Sequence, residues 1–197
     1  MLNNQNLAIL TTQLHVPIAA RDAMEQRKEI EADAHYALHD ALADMQPDAA
    51  LLSIALTTKM IAKGYVGSNS GTEILILECD RIIDEYGQIW LDNANKKNLN
   101  NGYLVQLLEN IPEDLENMAE LIELNLAYAA FDNPVIAEIC EILQIQAGAH
   151  AIIAEEFLSV LEMAECQKRK CAKSVPENLI AANAADNVVS FPRIVGS

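Results

Sequence analysis

Apolar residues that recur at alternating steps of three and four constrain this chain more than any other feature. That spacing holds one stripe of an α-helix against a partner helix and fits no strand. Residues 72–97 carry it at Ile76, Cys79, Ile83, Tyr86 and Trp90, and residues 103–131 carry it at Leu104, Leu108, Ile111, Leu115, Met118 and Ile122. Beyond Asn133 it returns at Ile139, Leu143, Gln146, His150, Ile153, Phe157 and Val160. The pattern predicts an all-α fold, a bundle of about five helices with heptad-like seams and left-handed, near-parallel packing.

Proline, glycine and capping residues mark where the helices begin and end. Pro17 opens a first helix that runs to about Met45, with a core stripe of Ile30, Ala34, Leu38, Leu42 and Met45. A second, more apolar helix covers 48–63, and Gly64 stands where a left-handed terminator is expected. Thr72-Glu73 reads as the start of the third. The fourth keeps its phase across Pro112, which predicts a kinked continuous helix or a tight restart. Asn133-Pro134, a cap followed by proline at the first helical position, opens a fifth helix that lasts to about Lys173. Residues 1–173 thus form one acidic helical domain. Residues 174–197 form an extended tail in which Val188, Phe191 and Ile194 are candidate docking residues for a neighbouring subunit or partner.

A chain of 197 residues with 51% hydrophobic content can bury a substantial core. Its longest uninterrupted apolar runs fall far short of the ~20 residues of a membrane span, so no membrane contact is expected. MLNNQNLAILTTQL lacks the basic flank and cleavage site of a secretory signal, which points to a cytoplasmic protein. Cys79, Cys140, Cys166 and Cys171 are too few for a disulfide scaffold and read as buried or free thiols.

Charge is the second strong feature. The net charge is −16, and the 70 residues between Lys97 and Lys168 hold 13 Asp or Glu and no Lys or Arg. Within them Glu109, Glu113, Glu116, Glu120 and Glu123 follow steps of four, three, four and three, which sets five carboxylates on one helical face. Glu141, Glu155 and Glu162 outline a second acidic face on the fifth helix. A solvated, solubilising surface is the default reading of such a face; solvated faces ordinarily interleave Lys with Glu, however, and a face without lysine also suits a protein partner with a basic surface. The five carboxylates span about 21 Å at 1.5 Å per residue, where a DNA strand would set about six phosphates at 3.4 Å each. A nucleic-acid-mimicking inhibitor, of the anti-restriction or anti-CRISPR kind, is therefore an alternative. Direct nucleic-acid binding is disfavoured by 8 basic against 27 acidic residues in 1–166.

Signals for chemistry are weaker. Glu31, His35 and His39 share a helical face at spacing four and are the candidate ligands for a divalent metal, the basis of a second alternative, a metal-binding helical-bundle enzyme or sensor. Neither Glu-x-x-His nor His-Glu-x-x-His occurs, so no metal or other cofactor is expected. Gln146 and His150 interrupt an apolar seam and read as a core polar pair that fixes helix register or oligomer state. No phosphate loop, nucleophile elbow or Cys-x-x-Cys supports catalysis. The residues together predict a non-enzymatic interaction or assembly protein, self-associating, that uses its acidic face and its tail.

Overall fold

A helix needs acceptors for its first amides and a buried stripe along one side, and most of the chain supplies both. The computed structural model describes residues 2–25, 32–66, 69–94, 101–127 and 133–174. Among them are seven α-helices and no strand, so the fold is all-α. They are α1 (Asn4–Leu14), α2 (Val16–Glu25), α3 (Ala32–Ala43), α4 (Pro47–Ile61), α5 (Ser70–Ala94), α6 (Asn101–Ile122) and α7 (Pro134–Ser174). Single π-helical turns follow α4 (Ala62–Val66) and α6 (Glu123–Ala127).

The sequence pattern misses α1. Asn3 caps it by accepting from the Asn6 amide at 2.8 Å, and the Leu2 amide donates to Asp84 of α5 at 2.8 Å. Gly87 of α5, an interruption in the sequence pattern, leaves room for this segment to lie against the helix. A Cβ there would sit 2.5 Å from Leu2 Cδ1 and 2.9 Å from Leu10 Cδ1. Between α1 and α2 the backbone turns at His15, whose φ is 61°. Its carbonyl accepts from both Ile18 and Ala19 at 3.1 Å and so starts α2. An L-residue at this φ is strained, and glycine is not. His15→Gly should raise the unfolding free energy by about 1 kcal/mol, read as a higher midpoint in urea; a lower midpoint would show that the turn is unstrained.

The first predicted helix is described in two pieces, α2 and α3, and Ile30 and Glu31 lie outside the described residues. α4 is the central element. Residues 51–58 are all buried, so the helix is enclosed on every side rather than along one stripe. It packs against α1, α2, α3, α5 and α6. Gly64 is not a left-handed terminator: it has no positive φ and lies inside the π turn, so α4 ends by widening its last turn. The third helix starts at Ser70 rather than Thr72. Asn69 Oδ1 accepts from the Thr72 amide at 2.9 Å while Thr72 Oγ1 accepts from the Asn69 amide at 2.9 Å, a reciprocal cap. Pro112 lies inside a continuous α6. Asn133 caps α7 as the sequence indicates, accepting from the Ile136 amide at 3.3 Å.

The seams hold over most of their length. Cys79, Ile83, Tyr86, Ile111, Leu115, Met118, Ile122, Ile139, Leu143, Gln146 and His150 are buried, and Ile76 and Trp90 are partly so; the side chains of Leu104 and Leu108 are outside the described set. Ile153, Phe157 and Val160 depart from the expectation, and Phe157 is 56% exposed. α7 has 41 residues against 25 in α5 and 22 in α6, so its stripe is longer than the elements that could cover it. The chain divides into two units, Met1–Leu158 and Ser159–Ser197. The first holds the core; the described part of the second is the last stretch of α7. Residues Pro134–Met163 are long and apolar enough to cross a membrane by length and composition, which the uninterrupted runs did not reveal. Half of the most apolar part is buried inside the fold, so a core helix accounts for the same composition.

Candidate interaction surface

Six acidic residues of α6 and the turn after it fall into two environments according to their phase against the core stripe. Asp114 is three residues after Ile111 and four before Met118, both buried, and is itself only 6% exposed. Its carboxylate accepts from the Arg81 guanidinium and from the Tyr86 hydroxyl, both on α5. Arg81 also binds Glu78 at 2.6 Å and Glu85 at 2.8 Å along its own helix. Hydrogen bonding to Glu78 is the main reason that its proton is held more tightly than usual. Burial, then the bond to Asp114, pushes the Tyr86 hydroxyl pKa up. A second pair, Lys59 with Asp80, joins α4 to α5.

Glu109, Glu113, Glu116, Glu120 and Glu123 are all exposed. Glu123 accepts from Gln144 Nε2 of α7 at 3.0 Å. Among the described residues no Lys or Arg pairs with any of the five. Like charges at these spacings cost roughly 0.2–0.5 kcal/mol per pair, so the row works against the helix that carries it. Glu141, Glu155 and Glu162 on α7 are exposed as well.

Gln146 and His150 are both buried on α7. The hydrogen bond of His150 runs to α3 and not to Gln146: Nε2 lies 2.8 Å from the Leu42 carbonyl. Leu42 is next to last in α3; its carbonyl accepts from the Met45 amide at 3.0 Å, and the imidazole adds a second donor across the core. With Nε2–H donating, Nδ1 is a buried acceptor that has no partner among the described residues. His35 lies edge-on to the Tyr36 ring, centroids 5.9 Å apart, and His39 Nδ1 is 3.4 Å from Asp40. Among the described residues no three His, Cys, Asp or Glu are grouped to hold a metal, and Glu31 lies outside them. Val188, Phe191 and Ile194 also lie outside.

Cys79, Cys140 and Cys166 are free thiols. Burial raises the first two from 9.0 to about 12, which leaves them protonated and unreactive at neutral pH. No protein family, curated protein or solved structure matches the chain.

The Arg81–Asp114–Tyr86 cluster went unread in the sequence, although its signal was there: Asp114 falls in the phase of the seam while its acidic neighbours do not.

Proposed function

We propose that this chain is a non-enzymatic helical interaction and assembly protein that meets the basic surface of a protein partner through the outer face of α6. The supporting observation is that all five carboxylates of the face are exposed and that, among the described residues, none pairs with a Lys or Arg, although the row destabilises its own helix. A basic partner surface removes that repulsion. The tail residues Val188, Phe191 and Ile194 are proposed as a second contact, and the helices as a near-parallel, left-handed bundle. Capturing proteins from cells of the source on immobilised wild-type chain and on the variant Glu113→Gln, Glu116→Gln, Glu120→Gln tests the reading. Basic proteins should be enriched on the wild type at low salt and depleted on the variant. Equal recovery on both would leave the face a solubility device.

The 21 Å spread of the same carboxylates (about 1.5 Å per residue) favours a second reading, a nucleic-acid mimic. In that case the captured protein binds nucleic acid, and added duplex or single strand displaces it from the chain.

Self-association is part of the proposal, because Ile153 and Phe157 of α7 are exposed and continue the apolar stripe that is buried farther up the helix. Light scattering after size exclusion should give a dimer or larger. Ile153→Glu with Phe157→Glu should give a monomer with unchanged helix content. A monomeric wild type would contradict this.

A further inference from the structure

We infer that the groove between α1, the start of α2 and the end of α4 is a binding site for an acyl carboxylate. The groove has a volume of about 260 Å³. Leu7, Pro17, Leu56 and Met60 supply apolar wall, and Lys59 and Lys63 stand one turn apart along it. Thr11 also lines it, with its hydroxyl already committed to the Leu7 carbonyl at 2.9 Å.

The charges of the groove identify the head group. Among the described residues, Arg21, Lys59 and Arg81 each pair with carboxylates, while Lys63 pairs with none. Among the described cationic side chains, Lys63 is the exception. Lys59 is neutralised by Asp80, so the groove offers one uncompensated positive charge at the end of an apolar wall. That arrangement fits an amphiphile with a single negative charge better than a phosphate dianion or a neutral lipid. The apolar wall suits a short acyl chain, and octanoate is the probe that tests it. The groove lies just below the ~300–1,000 Å³ of drug-sized sites.

Titration of the full chain, labelled with ¹³C at its methionine methyls, with octanoate tests the site. The Met60 resonance should shift and saturate while that of buried Met118 stays in place. Lys63→Gln should weaken octanoate about fivefold, the worth of one partly exposed ion pair, and leave 1-octanol binding unchanged. Met60→Trp, which fills the groove, should abolish binding of both. The absence of a saturable Met60 shift, or equal octanoate affinity in wild type and Lys63→Gln, would overturn the inference. A shift produced only by vesicles of zwitterionic lipid, and not by free octanoate, would overturn it as well. None of these readouts involves the α6 face.

Discussion

Raising the pH from 9 to 11 should cost the folded protein on the order of 5 kcal/mol, enough to unfold a domain of ordinary stability. The cause is the pair of buried thiols. Cys79 and Cys140 are raised from 9.0 to about 12 by burial, so they keep their protons in the folded state at a pH where the unfolded chain has released them. Above pH 9 the unfolded state binds fewer protons than the native state, and stability therefore falls as pH rises. The contribution is whole below pH 9 and is lost progressively towards pH 12. Each thiol contributes a slope of about 1.4 kcal/mol per pH unit in that window. Tyr86, also raised, adds a further loss above the ordinary tyrosine value of about 10. Denaturant melts of wild type and of the variant Cys79→Ala, Cys140→Ala at several pH values between 8 and 11 (roughly the window set by these groups) separate this from general charge repulsion. The variant should lose most of the slope below pH 10, and an identical slope in both proteins would contradict the account.

Asp114→Ala should destabilise the protein by about 3 kcal/mol, a fall in Tm of roughly 6–12 °C for a chain of this size. The substitution removes the acceptor of the Tyr86 hydroxyl and the carboxylate that joins α6 to Arg81. Arg81 is 41% exposed and keeps Glu78 and Glu85, so solvent screens its share of the loss. Most of the cost comes from the stranded hydroxyl and the vacated space. Two further variants test that division. Asp114→Asn, which can still accept from Tyr86, should cost about 1 kcal/mol. Tyr86→Phe placed in the Asp114→Ala background should add less than it costs alone, because the group it removes is already unsatisfied. A loss within 0.5 kcal/mol of wild type for Asp114→Ala, the range of ordinary surface substitutions, would show that the cluster does not hold the helices together.

What the sequence made legible follows from what local spacing can encode. The stripes through Cys79, Ile83, Leu115, Met118 and Leu143 were readable because helical phase alone brings them to one side, and they are buried. The start of α7 was readable because Asn133-Pro134 is a local signal, and the five glutamates were readable as one exposed face for the same reason. α1 was missed although Asn3, Leu7, Leu10 and Leu14 carry a cap and a 3–4 spacing, because it is short and its stripe is diluted by threonine and glutamine. Gly64 was misread because a π turn and a left-handed cap both place glycine near a helix end, and only the backbone distinguishes them. The exposure of Phe157 depends on the lengths of other elements, which phase does not encode. The contact of His150 with Leu42 joins residues 108 apart in sequence, a separation at which spacing carries no information.

The central claim is that the outer face of α6 exists to meet a basic surface. Its most direct test is the affinity of a captured partner for wild type and for the variant Glu113→Gln, Glu116→Gln, Glu120→Gln as salt is raised. The wild type should bind tightly at about 0.05 M salt and weaken steeply, since the Debye length falls from about 10 Å at 0.1 M to about 3 Å at 1 M. The variant should associate more slowly, bind more weakly at low salt and respond less to added salt. It should also unfold at equal or slightly higher temperature, because like-charge pairs worth roughly 0.2–0.5 kcal/mol each have been removed. A variant that keeps wild-type affinity and wild-type salt dependence at low salt would contradict the claim.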